Sequence, residues 1–160
     1  MAARRRTARP TLWWLCLALA SAVAPARAQD VAVVVSGAVE ETAITSGELR
    51  EIYLGNRQYW RPGLRVVPLV WGAEEREQQV LLERVYRMSA DRYRQHWITK
   101  IFRDEATSKP IELLSGAMLA QAMARLPGAI ALVRTDRLPP GAKVLAVDGR
   151  RPGEQGYPLR

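Results

Sequence analysis

Several residues that could hold a ligand follow an apolar run at residues 66–70. The run is followed by Trp71 and Gly72, and Arg76 stands in a charged stretch with helical spacing just beyond them. A strand, a tight turn and a helix N-terminus in this order present free backbone N–H groups and the positive end of the helix dipole to an anion. The turn therefore predicts a binding edge in which Trp71 is an apolar wall and Arg76 is the charge partner.

The same turn carries carboxylates that oppose an anion such as phosphate. Glu74, Glu75 and Glu77 crowd the first turn of the predicted helix, where they stabilise the helix through its dipole but repel a bound anion. We expect Glu74 and Glu77 to face solvent. The alternative for this turn is purely structural, with Trp71 in the core and Arg76 paired with a neighbouring glutamate.

Two further pairs of residues stand at the ends of apolar runs and could face the same crevice. Ser36 and Gly37 end one such run, and Arg134 and Thr135 end another. Because ligands of open α/β sheets bind at the carboxyl ends of the strands, we expect both pairs to lie beside the turn after residue 70. The alternatives are a plain turn at the first pair and a solvated arginine at the second.

Side chains suited to catalysis or metal binding are sparse. His96 is the only histidine, and the single cysteine, Cys16, lies near the N-terminus in the leader described below. The sequence therefore offers no histidine cluster for zinc and no cysteine–histidine nucleophile pair, and no spacing marks a carboxylate dyad. We expect a non-catalytic protein that uses neither a metal nor a cofactor.

Residues 1–28 have the pattern of a cleavable signal peptide. Four arginines near the N-terminus precede an apolar run at residues 12–24, and Ala26 and Ala28 are the small residues of a cleavage site. The apolar run is shorter than the about 20 residues of a membrane-spanning helix. The pattern predicts export to the periplasm, and an uncleaved leader that anchors the protein in the membrane is the alternative.

Removal of this leader changes the charge of the protein. It takes away 28 of the 160 residues and leaves 132, the size of one domain. The leader holds five of the 24 basic residues and none of the 16 acidic ones, so the net charge falls from +8 to +3. The remaining lysines and arginines are scattered and form no basic stripe. We therefore expect no nucleic-acid partner, and contact with a membrane only through an uncleaved leader.

Hydrophobic spacing predicts strands that alternate with helices. A capping box of Thr45 and Glu48 starts a helix that Gly55 ends. The alternation indicates an α/β domain at residues 29–147 with a mostly parallel sheet and helices on both faces. The Gly- and Pro-rich residues 148–160 are predicted to form a flexible tail. The predicted strands are 31–35, 66–70, 129–133 and 143–147, and the predicted helices are 45–54, 73–88, 90–102 and one that begins near Ser115.

Four stretches, taken in order, resemble a known family. The stretches are 49–55 with Trp60 and Gly63 behind it, 66–70, 88–102 with Trp97 inside it, and 126–133. The first reads Leu-Arg-Glu-Ile-Tyr-Leu-Gly and the last reads Leu-Pro-Gly-Ala-Ile-Ala-Leu-Val. Their order and spacing are similar to those of the phosphate-type periplasmic solute-binding proteins of ABC transporters.

The resemblance implies a type II periplasmic-binding-protein lobe and a solute-binding role without catalysis. Transport members of the family have two lobes and this chain has room for about one, so the implied partners are a weakly held, phosphate-like small anion and a transporter or envelope protein. The family's Ser/Gly/Thr-rich phosphate loop is replaced here by residues 71–76, in which only Gly72 keeps its character. The alternative function is an envelope protein-interaction module whose contact patch contains Trp60, Trp71 and Tyr59.

Overall fold

The computed structural model of the protein describes residues 30–72, 75–106 and 109–160. The predicted leader at 1–28 lies outside the described residues, and so do Ala73 and Glu74 of the carboxylate-bearing turn. The strands are β1 (Val31–Val35), β2 (Ala43–Ile44), β3 (Tyr59–Arg61), β4 (Leu64–Arg65), β5 (Val67–Trp71), β6 (Ile111–Leu113), β7 (Ala129–Arg134) and β8 (Lys143–Val147). The helices are α1 (Ser46–Tyr53), α2 (Arg76–Val80), α3 (Ala90–Phe102) and α4 (Gly116–Arg125).

Six of these strands form one mixed sheet in the order β2-β8-β1-β7-β5-β6. The pairs β2–β8, β5–β7 and β5–β6 are parallel, whereas β1 runs antiparallel to both β7 and β8. Strands β3 and β4 form a separate hairpin. The predicted α/β architecture with a mostly parallel sheet is confirmed, and the antiparallel direction of β1 has consequences for the candidate site.

Strand β1 divides the core into two layers. All five of its residues are fully buried, and alternate side chains point to opposite faces of the sheet. Val31, Val33 and Val35 pack in the layer that contains α1, while Ala32 and Val34 pack in the layer that contains α4. Both faces of the sheet are therefore covered by helices, which explains why β1 is a continuous apolar run and does not alternate with polar residues.

A local capping box defines the start of α1. The Thr45 hydroxyl accepts a hydrogen bond from the Glu48 N–H at 3.1 Å, and a Glu48 carboxylate oxygen accepts one from the Thr45 N–H at 3.0 Å. The hydrogen bonds from Thr45 lower the pKa of the Glu48 carboxyl. Gly55 follows the helix at φ 75°, a conformation that favours glycine. The predicted capping box and stop are confirmed.

The segment predicted as a helix over 73–88 begins at Arg76 and changes character along its length. It continues beyond α2 as a π-helical segment, Leu81–Tyr86, which ends at Arg87 in a left-handed conformation. Short strands were not predicted, because β2, β3, β4 and β6 have only two or three residues each. The helix expected near Ser115 begins at Gly116, where the Ser115 hydroxyl accepts a hydrogen bond from the Met118 N–H.

The prediction of a flexible tail at 148–160 is wrong. Tyr157 and Leu159 are almost fully buried. The Tyr157 hydroxyl donates to the Val31 carbonyl at 2.9 Å, and the Val31 N–H donates to the Leu159 carbonyl at 2.9 Å. Because β8 pairs with β1 only over Val33–Val35, the tail supplies the hydrogen bonds that the first residue of β1 needs. The burial of Tyr157 and Leu159 therefore holds this segment on the core, although its Gly- and Pro-rich composition is typical of a loop.

Gly128, just before β7, is predicted to tolerate no side chain. A Cβ atom at this position would lie 1.8 Å from the Arg65 carbonyl oxygen. The Gly128 carbonyl also accepts hydrogen bonds from the Val67 N–H and the Trp60 indole, both at 2.9 Å. We expect Gly128→Ala to lower the free energy of unfolding by about 3 kcal/mol, because the backbone must move and strain both bonds.

Chemical denaturation of Gly128→Ala beside the wild type measures this loss. Gly116→Ala is the matched control, since a Cβ there meets no atom within 4 Å and alanine favours the helix, so its stability should equal or exceed that of the wild type. Equal stability of Gly128→Ala and Gly116→Ala would show that the approach of Arg65 to Gly128 is not a constraint.

Three tyrosines make the fold sensitive to alkaline pH. Tyr53, Tyr86 and Tyr93 stack edge-on, with neighbouring ring centroids 6.1 and 5.0 Å apart. Burial raises the pKa of all three phenols, that of Tyr93 to about 12. Because the folded-state pKa of each phenol is raised, its contribution to the free energy of unfolding is complete below the unfolded-state pKa of about 10. The contribution of Tyr93 is lost as pH rises through its folded-state pKa of about 12. We expect the unfolding temperature to fall across this window, and to fall less steeply in Tyr93→Phe; a flat profile would contradict the prediction.

Candidate functional site

The carboxyl ends of β5 and β7 bring two of the three predicted pairs of site residues to one edge of the sheet. The two strands are parallel, with Val67 opposite Ala129 and Leu69 opposite Ala131. Trp71 and Gly72 at the end of β5 therefore lie beside Arg134 and Thr135 at the end of β7. We call this the β5/β7 edge. Helix α2 begins directly above it and contributes Glu77.

Ser36 and Gly37 do not belong to this edge, and the expectation of a shared crevice is wrong. Strand β1 runs antiparallel to β7, so its carboxyl end lies beside the start of β7, with Val35 opposite Ile130. The Ser36 hydroxyl donates to the Pro127 carbonyl and is buried. Ser36 and Gly37 line a different cavity of about 590 Å³, between the end of β1 and α4.

Trp71 lies in the core. Its side chain is buried, and its indole N–H donates to the Leu132 carbonyl at 2.7 Å. Trp60 is equally buried, with its indole N–H on Gly128. Of the three residues expected to form a protein-contact patch, only Tyr59 is exposed, at 54%. That patch is therefore not present, because both tryptophans satisfy their single polar group inside the protein.

Glu77 is the central polar residue of the β5/β7 edge, and the prediction that it faces solvent is wrong. Its side chain is 1% exposed. One carboxylate oxygen accepts the Arg134 backbone N–H at 3.1 Å, and the other is buried with no hydrogen-bond partner among the described residues. The signal was present in the sequence, because Glu77, Val80 and Leu81 have the i, i+3, i+4 spacing of one helix face, and the latter two are buried.

The other charges of the edge are largely paired with each other. The Arg134 guanidinium donates two hydrogen bonds to Asp136, at 3.1 and 2.6 Å, and these bonds raise the pKa of the Arg134 guanidinium. Arg137 pairs with Glu75 at 3.4 Å. The Thr135 N–H donates to the Asp30 carbonyl at 3.1 Å. Arg134 and Thr135 are therefore held by the protein itself, which reduces what they can offer to a ligand.

Arg76 is the predicted site residue of this edge that is exposed, and Gly72 beside it is half-buried. The Arg76 side chain makes no ion pair or hydrogen bond with any described residue. Beside Gly72 there is open space, since a Cβ placed there would meet only a carboxylate oxygen of Glu112, at 3.8 Å. With Glu75 and Glu77 at the same edge, a single cation that no described residue pairs can hold an anion only weakly.

The described residues show neither a metal cluster nor a spanning helix. Over residues 30–72, 75–106 and 109–160, no group of three or more His, Cys, Asp or Glu side chains is placed to hold a metal ion. Within the same residues, no helix combines the length and the apolar character needed to cross a membrane. His96 contacts the carbonyl of Leu54, the C-cap residue of α1, through Nε2 at 3.1 Å. This contact packs α3 against the C-terminal end of α1.

No protein-family model matches the sequence, and no curated protein matches it either. Solved structures do match. The chain is similar to a phosphate ABC transporter substrate-binding protein with bound phosphate from Clostridium perfringens, at a TM-score of 0.61 and 13% identity over 78% of this chain and 47% of that one. It is also similar to an ABC-type phosphate transport receptor from Vibrio cholerae, at a TM-score of 0.60 and 15% identity over 78% of this chain and 48% of that one.

A third similar structure is PstS from Borrelia burgdorferi, with a TM-score of 0.60 and 13% identity over 82% of this chain and 54% of that one. The resemblance drawn from four short stretches of sequence is thus confirmed at the level of the fold. The chain spans about half the length of the proteins it matches.

Proposed function

We propose that this protein is an exported, non-catalytic relative of phosphate ABC transporter substrate-binding proteins. In this proposal the β5/β7 edge is a weak anion site, because the protein's own Glu77 carboxylate occupies part of it. The fold of the solved transport proteins supports the solute-binding part of the proposal. The single observation that carries the rest is the buried Glu77 carboxylate on the Arg134 backbone N–H. A fixed negative charge at the end of β7 takes a donor that a bound anion would use, and repels that anion.

The size of the domain supports weak binding for a separate reason. Ligand sites bury most of the surface of a small molecule, and a single wall cannot do so around an ion of the size of phosphate. The matched region corresponds to about half of each solved transport protein. We infer that this domain by itself has a low affinity for a free anion, and that a second wall over Arg76 and Gly72, such as one from a transporter or another envelope protein, would raise it.

The leader at residues 1–28 supports the periplasm as the site of action, because its basic, apolar and small-residue regions follow in the order of a secretory signal. The net charge of +3 without the leader is too small and too dispersed for nucleic-acid binding. Partners in this proposal are a phosphate-like anion and a protein of the transport or envelope machinery.

We predict that Glu77→Gln increases the affinity for phosphate. Glutamine keeps an oxygen that can accept the Arg134 N–H and removes the negative charge. We expect an apparent Kd for phosphate about tenfold lower than in the wild type, the equivalent of about 1.4 kcal/mol. Thermal unfolding against rising phosphate and sulfate measures the gain, because a ligand that binds the folded state raises the unfolding temperature.

Two controls define this experiment. Glu83→Gln makes the same change at an exposed position in the π-helical segment that follows α2. Its unfolding temperature should respond to phosphate as that of the wild type does. Adding Arg76→Ala to Glu77→Gln should remove the gain in affinity, since the Arg76 guanidinium is the cation at this edge that no described residue pairs. If Glu77→Gln folds but phosphate raises its unfolding temperature no more than that of Glu83→Gln, the Glu77 carboxylate does not limit anion binding and the proposal fails.

One observation favours the alternative, an envelope protein-interaction module. Ile98, Ile101 and Phe102 on α3 are 61, 45 and 90% exposed, and neighbouring exposed apolar side chains mark interaction surfaces. In that case Phe102→Ser should abolish co-purification of an envelope protein without lowering the unfolding temperature, while an Arg92→Ala variant at the other end of α3 should not. Retention of the same partner by Phe102→Ser would remove this alternative.

A further inference from the structure

A cavity of about 290 Å³ lies at the opposite end of β5 from the β5/β7 edge. It opens where the two parallel strands β5 and β6 begin, so Val67 forms one wall and Ile111 another. Further contacts come from the end of α1, the middle of α3, the loop before the β3–β4 hairpin, strand β4, and the residues Ala106, Lys109 and Pro110. The cavity is therefore separate from the edge discussed above and has its own set of side chains.

The inner part of this cavity is apolar. Ile52 and Val66 are almost fully buried, and Trp97 is 4% exposed. The far edge of the Trp97 ring packs against Gly55, where even a Cβ atom would come within 3.0 Å of the ring. An apolar group that entered would lose its contact with water against these walls, which is the main source of affinity in small-molecule pockets.

The rim of the cavity is positively charged. Arg57, Arg65 and Lys109 line it, and no described lining residue is a carboxylate. Arg57 is already engaged, since it pairs with Glu48 at 3.1 Å and lies 5.6 Å above the Trp60 ring. Lys109 is exposed and makes no ion pair or hydrogen bond with a described residue. Its ammonium group is the one best able to receive a new anion at this rim.

We propose that this cavity binds a small amphipathic anion: a carboxylate with a short apolar chain or ring, its head at Lys109 and its apolar part between Val67 and Trp97. The volume sets the size, because 290 Å³ at about 30 Å³ per water corresponds to about ten non-hydrogen atoms. An inorganic anion would leave the apolar walls uncovered, and a neutral chain would leave the charged rim unused. The proposal does not depend on the function of the β5/β7 edge.

Titration calorimetry of the purified protein with octanoate tests this assignment, with 1-octanol and phosphate as the neutral and the chain-free probes. We expect octanoate to bind with a Kd of about 1 mM or lower. Octanol should bind at least about fivefold more weakly, and phosphate should not displace octanoate. Equal binding of octanol and octanoate would overturn the role of the charged rim, and displacement by phosphate would overturn the role of the apolar walls.

Three variants locate the site. Lys109→Ala should weaken octanoate binding about fivefold, the effect of removing one exposed ion pair. Arg92 is an exposed cation near the start of α3 and does not line the cavity, so Arg92→Ala should leave octanoate binding unchanged. Ile111→Trp should abolish binding by filling the mouth of the cavity. Thermal unfolding confirms that each variant is folded. Undetectable octanoate binding to the wild type, or unchanged binding in folded Ile111→Trp, would overturn the proposal.

Discussion

The burial of β1 on both faces is the constraint on which the other elements depend. A strand with no exposed residue must be covered by helices above and below it and must pair along both of its edges. Strands β7 and β8 supply most of those hydrogen bonds, and the C-terminal segment supplies the bonds at Val31. This requirement explains why a Gly- and Pro-rich tail is an integral part of the fold: without it, the first N–H and carbonyl groups of β1 would be buried without partners.

The same sheet separates two surfaces with different chemistry. At the carboxyl ends of β5 and β7, Arg134 pairs with Asp136, Arg137 pairs with Glu75, and the buried Glu77 carboxylate takes a backbone donor, which in our proposal weakens the binding of a free anion. At the amino ends of β5 and β6, apolar walls lie beneath a positively charged rim. Because parallel strands place all their carboxyl ends on one side, a ligand at one surface makes no contact with the other, and each can be altered independently.

Much of the chain could be predicted because its signals are local. A capping box, a β-branched run and helical spacing each act within a few residues, and they correctly gave the start of α1, the buried strand β1 and the whole of α3. Even the error at Glu77 was correctable from local spacing, since it shares a helix face with Val80. The short strands were missed because two or three residues carry too little pattern to distinguish a strand from a loop.

The sequence by itself determined the longer strands and helices, the α/β class and a resemblance whose fold the structure confirms. Only the tertiary structure decided which residues share a site. Strand direction placed Ser36 far from Arg134. Trp71 is held in the core by a hydrogen bond to Leu132, 61 positions later in the chain, and Tyr157 by one to Val31, 126 positions earlier. These outcomes depend on which backbone groups meet across the sheet. No local pattern encodes that choice, because a carbonyl on one strand accepts a donor from any strand that the packing of the core brings beside it.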